Sequence, residues 1–185
     1  MTKLYHLGQS NNLAERILIM MQGMSLSTFT LVHVIISLAG LGTGFIVLYG
    51  LLNSKRQDGW TAIFLVTTVL TSVTGIMFPF EKLLPSHILA ALSLIVLAIA
   101  IVARYTFRMA GAWRGTYVIT AAIALYFNCF VAVVQAFAKI PALHALAPTQ
   151  KEPPFAIAQL AVLAIFVWLT WRAAKQFHAT PVRTT

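Results

Sequence analysis

The sequence predicts an all-α protein: an integral membrane bundle of five transmembrane helices, N-terminus outside and C-terminus inside. Five uncharged apolar runs carry that prediction, Phe29–Leu52, Trp60–Phe80, Leu83–Ala103, Gly115–Ala138 and Pro153–Trp171. Each is near or above the ~20 residues a helix needs to cross about 30 Å of hydrocarbon. Composition agrees, since 59% of residues are hydrophobic and only 9% charged. Soluble domains average about a quarter charged. The third observation is the distribution of cations between the two faces.

Five spans put the termini on opposite sides. One face receives the N-terminal tail, the Glu81–Lys82 turn and the Lys139–Glu152 loop, with five cations: Lys3, Arg16, Lys82, Lys139 and Lys151. The other receives the Asn53–Gly59 and Arg104–Arg114 loops and the C-terminal tail. It carries eight: Lys55, Arg56, Arg104, Arg108, Arg114, Arg172, Lys175 and Arg183. Positive charge is retained in the cytoplasm during insertion, so the second face is expected inside. Trp60, Trp113, Trp168 and Trp171 all fall at that end, where indole rings prefer the headgroup level. A net charge of +9 would attract polyanions in a soluble protein. Beside apolar spans it sets orientation and meets lipid headgroups instead, so the expected partner is the bilayer and not nucleic acid.

The chain divides into a tail over 1–27, a bundle over 28–174 and a cytoplasmic tail over 175–185. The first tail lacks the charged, apolar and small-residue regions of a signal peptide. Leu13, Ile17, Met20, Met21 and Met24 recur at helical spacing, as on a helix lying in the interface, although Met20, Met21 or Met24 would also serve as translation starts. The first span carries Gly40 and Gly44, a GxxxG pair that lets another helix approach closely. That helix is either a neighbour in the same chain or one in a second copy. The second span is rich in hydroxyls, Thr67, Thr68, Thr71, Ser72 and Thr74. Such groups either bond back to their own helix or line a polar cavity. Pro79 and Pro85 bracket the turn to the third span, and the proline-rich stretch after Lys139 reads as a stiff cap. Cys129 is the single cysteine, so no intrachain disulfide forms.

The candidate site is a polar layer near the outer face. His33, His87, Gln135 and Gln159 come from four different spans, each within a few residues of the outer end. Asn128 shares the Gln135 face near mid-membrane, and His144 and Glu152 lie in the loop above. Polar groups in hydrocarbon turn toward the bundle interior, because an unsatisfied one costs several kcal/mol. Neutral imidazole is an axial ligand for haem and a ligand for copper or zinc. His33 and His87 could therefore hold haem b with Gln135 and Gln159 as supporting donors, or His33, His87 and His144 one metal ion. The ordinary alternative is that these histidines bond neighbouring backbone. Neither CxxCH nor HExxH occurs, nor a Ser/His/Asp set, and none of the five runs contains Asp, Glu, Lys or Arg. Covalent haem attachment, zinc hydrolysis, serine hydrolysis and proton pumping lose support accordingly.

The His33 span, the turn TGIMFPFEKLLPSH and the stretch FNCFVAVVQAF…PALHALAPTQKEPPF together resemble uncharacterised bacterial inner-membrane multi-helix proteins, with a faint likeness to cytochrome b561-type bundles. The resemblance implies a bacterial cytoplasmic membrane and carries over no catalytic residue. The expected function is an inner-membrane haem b or electron-transfer component. The alternatives are a non-enzymatic bundle binding lipid, quinone or a partner protein, and an oligomeric small-molecule permease with a cavity along Thr71, Asn128 and Gln135.

Overall fold

The computed structural model describes residues 25–78 and 85–177, and every regular element among them is helical. Helix α1 covers Leu26–Leu52, α2 Asp58–Met77 and α3 Pro85–Ile101, running on into a π-helical turn over Val102–Thr106. Helix α4 covers Ala112–Lys139, α5 Pro141–Leu146 and α6 Pro153–Gln176. Five of these helices are long and apolar enough to cross a bilayer, the third counted as His87–Thr106. The expected interfacial helix of the N-terminal tail and the Glu81–Lys82 turn lie outside the described residues.

Local chemistry sets the helix ends. Ser25 caps α1, its hydroxyl accepting from the Thr28 N–H at 3.2 Å. At the other end the Asn53 amide donates to the Tyr49 carbonyl at 2.8 Å. The stretch after Lys139 holds the single-turn α5 besides a turn. Pro153 and Pro154 open α6, where a missing N–H costs nothing. Just before them, Glu152 accepts from the Thr149 hydroxyl at 2.8 Å, the Lys151 N–H at 3.1 Å and the Thr149 N–H at 3.3 Å. These bonds, the Thr149 hydroxyl foremost, hold the Glu152 carboxyl below the ordinary carboxylate range. A depressed folded-state pKa contributes stability above the ordinary range and loses it as pH falls through the lowered value. Amide protection factors at Thr149 and Lys151 are therefore expected to drop on acidification through that window, and Glu152→Gln to abolish the dependence.

Helices α1 to α4 pack in sequence order around a ring, each against the next and α4 back against α1. Helix α6 lies outside, on α4 and α1. Burial follows this plan: 44% of the most apolar window of α4 is buried, 28% in each of α1 to α3, and 11% in α6. The core sits in the half of the ring holding the α1–α2 and α3–α4 connections, around Leu48, Phe64, Leu97, Tyr117 and Leu125. Outward faces stay apolar, as at Leu38, Ile157 and Val167, which suits hydrocarbon. The GxxxG pair faces inward. A Cβ on Gly44 would stand 2.9 Å from Phe64 Cε2 of α2 and closer still to Leu125 Cδ1 of α4. The close approach expected of this pair is thus made within the chain.

Candidate functional site

The two ends of the ring differ, and the difference starts from α2. Its buried residues Thr61, Phe64, Thr68 and Ser72 recur at three- and four-residue intervals, with exposed Asp58 one turn before them on the same face. From Asp58 to Thr74 this face spans about 24 Å at 1.5 Å per residue. Polar groups occupy both ends, and an apolar plug of Phe64 and Leu125, each 1% exposed, separates them.

At the histidine end, His33 Nδ1 lies 2.7 Å from Thr74 Oγ1. The Thr74 hydroxyl donates its one proton to the Leu70 carbonyl, also at 2.7 Å. It therefore accepts from His33, which puts the imidazole proton on Nδ1 and the lone pair on Nε2. The ring stands edge-on to Phe78, centroids 5.1 Å apart. A Cβ on Gly75 would meet His33 Cε1 at 3.8 Å and the Ala90 methyl at 3.9 Å, so His33 reaches across α2 toward α3. His87, one turn from Ala90 on the same face of α3, is buried at 6% exposure. The structure thus places both histidines at one end of the ring.

Deeper in, Asn128 Nδ2 donates to Thr68 Oγ1 at 3.2 Å. Gly40 makes room for that pair: its missing Cβ would sit 3.2 Å from Thr67 Oγ1, 3.3 Å from Thr68 Oγ1 and 3.6 Å from Asn128 Nδ2. Ser72 bonds Ser93 across α2 and α3 at 3.1 Å. Thr67, Ser72 and Thr74 also bond back to their own helix, as hydroxyls in a span do. The Thr71 hydroxyl is different: it is buried and makes no hydrogen bond among the described residues.

Toward the histidine end, cover on α1 and on one face of α4 falls away. Asn128, Val131 and Gln135 share a face of α4, with Asn128 half-buried and Val131 and Gln135 exposed. On α1 every residue from Leu26 to Ala39 except Phe29 is exposed or half-buried. Beyond the Gly40, Thr68 and Asn128 cluster, toward that end, stand His33, Thr71 and Gln135 on three different helices.

The remaining expected residues go elsewhere. Gln159, buried, donates to the Phe130 carbonyl at 3.2 Å and so joins α6 to α4. It supports neither histidine. Gln135 is exposed. His144 is exposed on α5, and among the described residues no three His, Cys, Asp or Glu side chains gather to hold a metal ion. The three-histidine copper or zinc site thus has no gathered ligand set among the described residues, with His144 exposed on short α5.

The other end holds what the sequence reading missed. Arg104 counts there as a loop cation, yet its side chain is 4% exposed. The π turn, closed by the Phe107 N–H on the Val102 carbonyl at 3.0 Å, aims it inward. There it pairs with Asp58 and lies 5.0 Å from the centre of the Tyr117 ring and 5.6 Å from that of Tyr105. The Tyr117 hydroxyl is 3.5 Å from Thr61 Oγ1. The signal available was faint: Asp58 is the single acid among the connections of the cation-rich face.

No family model, curated protein or solved structure matches this chain. Function has to be argued from the geometry.

Proposed function

We propose that this chain is a multi-pass protein of the bacterial cytoplasmic membrane, histidine end outward, that binds a lipid-soluble molecule with a hydroxyl or carbonyl head, of the quinone class. The observation that carries this reading is the set of polar groups beyond the Gly40–Asn128 contact, half-buried His33 and Thr71 and exposed Gln135, from three helices. His33 Nε2 offers a lone pair to a ligand hydroxyl, the buried Thr71 hydroxyl has a bond still to make, and the Gln135 amide can donate or accept. A mostly apolar site with a few placed polar groups is the usual form of a small-molecule pocket. The apolar plug beneath argues against a through-going permeation path in one copy of the chain.

The test is thermal unfolding of the purified protein in nanodiscs with and without decyl-ubiquinone. At a hundred times Kd, a bound ligand adds about 2.7 kcal/mol of stability. The shift is expected to disappear in His33→Leu and to shrink in Gln135→Leu, an exposed position where the substitution suits hydrocarbon. No shift at any quinone concentration removes the reading.

Haem b keeps one supporting observation. The Thr74 hydroxyl holds His33 Nδ1 and so presents Nε2, the orientation an axial ligand needs. Against it, α2 runs close beside the ring, a Cβ added to Gly75 standing 3.8 Å from His33 Cε1, where a porphyrin would need space. A reduced-minus-oxidised spectrum with sharp α and β bands, lost in His33→Ala and His87→Ala, would replace the quinone reading with a cytochrome.

A further inference from the structure

Helix α6 presents a surface of regular form to the bilayer. Leu163, Val167 and Trp171 follow at four-residue intervals and make a ridge along it. An apolar furrow runs on each side. One, of about 410 Å³, is walled on its far side by Ile119, Ile123 and Tyr126 of α4. The other, of about 740 Å³, follows Leu160, Ala164 and Trp168 on the free side of α6. Leu160 to Trp171 covers about 16 Å at 1.5 Å per residue, roughly one leaflet of a 30 Å hydrocarbon core.

Both rows end in a cation at the same level. Lys175 continues the ridge one turn beyond Trp171, its Nζ 4.1 Å from that ring's centre. Arg172 continues the free-side row beyond Trp168, at 5.4 Å from its ring. Among the described residues neither is ion-paired, since the salt bridges there involve Arg56, Arg104 and Asp58. Any acyl chain can lie in an apolar furrow. Two furrows of leaflet length converging on two unpaired cations at the headgroup level ask for more: two chains joined to one negative charge.

We propose that this end of α6 binds one anionic phospholipid, its phosphodiester between Lys175 and Arg172 and its two acyl chains astride the Leu163–Val167–Trp171 ridge. The guanidinium and ammonium attract the phosphate, while the positive headgroup of a zwitterionic lipid would be repelled by the same pair. The Trp168 and Trp171 rings, each under a cation, sit where the glycerol esters would lie.

Tryptophan quenching by brominated lipid tests this directly. In a Trp60→Phe/Trp113→Phe background the remaining indoles are Trp168 and Trp171. The protein is reconstituted in phosphatidylcholine vesicles containing a fixed fraction of dibrominated phosphatidylglycerol or dibrominated phosphatidylcholine. Phosphatidylglycerol is expected to associate about thirtyfold more strongly, as two cations near a surface imply. Arg172→Gln/Lys175→Gln, at two exposed positions, is expected to bring the ratio close to one, and 0.5 M salt to reduce it. Equal quenching by the two lipids in the parent, or an undiminished preference in the double variant, would overturn the proposal.

Discussion

Gly44→Val is expected to destabilise the bundle by about 3 kcal/mol, at the upper end of overpacking costs. The first added carbon would already stand 2.9 Å from Phe64 Cε2 and closer to Leu125 Cδ1. Both neighbours are 1% exposed and lie on different helices, so neither ring nor isobutyl group has free space to turn into. Helix α1 would have to withdraw from α2 and α4 together. Two other glycines of the same helix give the scale. At Gly42 a Cβ meets nothing within 4 Å, and Gly42→Val is expected to change stability by no more than about 0.5 kcal/mol. At Gly40 the closest atoms are hydroxyl oxygens at 3.2 and 3.3 Å, so Gly40→Ala is expected to fall between and to loosen the Asn128–Thr68 bond. Unfolding in mixed micelles, followed by helix content, measures all three. If Gly44→Val matched Gly42→Val, α1 could not be packed between α2 and α4 as described.

The second large effect is an asymmetry at the arginine end. Asp58→Ala strips a carboxylate that is 62% exposed, leaving a guanidinium that is 4% exposed. A buried charge without its counter-ion is costly, about 3–5 kcal/mol where both partners are buried. With Asp58 partly in solvent, and Tyr117 and Tyr105 still offering their ring faces, we expect about 2 kcal/mol. Arg104→Met should cost less, because its packing is apolar and the stranded Asp58 can hydrate and keep Arg56 at 3.3 Å. Arg56→Gln removes an exposed contact and should cost under about 0.5 kcal/mol. The same micelle unfolding ranks the three. Arg104→Met proving worse than Asp58→Ala would mean that the guanidinium holds the π turn through contacts other than this carboxylate.

Both expectations rest on residues whose weight differed between sequence and structure. The glycine pair was legible as a close-approach motif, and its partner helices were not. A small residue licenses contact without choosing what makes it. Arg104 was misplaced outright. It follows an apolar run directly, so it reads as a loop cation, and only an extra residue in the helical turn brings it round to the interior. Among the polar side chains, Asn128 was read near mid-span, and it bonds Thr68 there. Gln159 is buried and bonds the Phe130 carbonyl of α4, while Gln135 is exposed. Depth comes from counting along one helix, while company depends on helix rotation, which period alone leaves open when all sides are apolar.

The sequence by itself determined the five apolar helices, their order, the gathering of cations and tryptophans at one end and of histidines at the other. These follow from lengths and charges that a hydrocarbon layer tolerates or rejects residue by residue. Only the tertiary structure decided which faces meet. It turned Gly44 onto Phe64 and Leu125, drew Arg104 beneath Tyr117, and set His33 against Thr74 at the histidine end. Between helices that are apolar on every side, burial does not discriminate one rotation from another. Side-chain shape and a few interhelical hydrogen bonds do, and they exist only once the helices are packed.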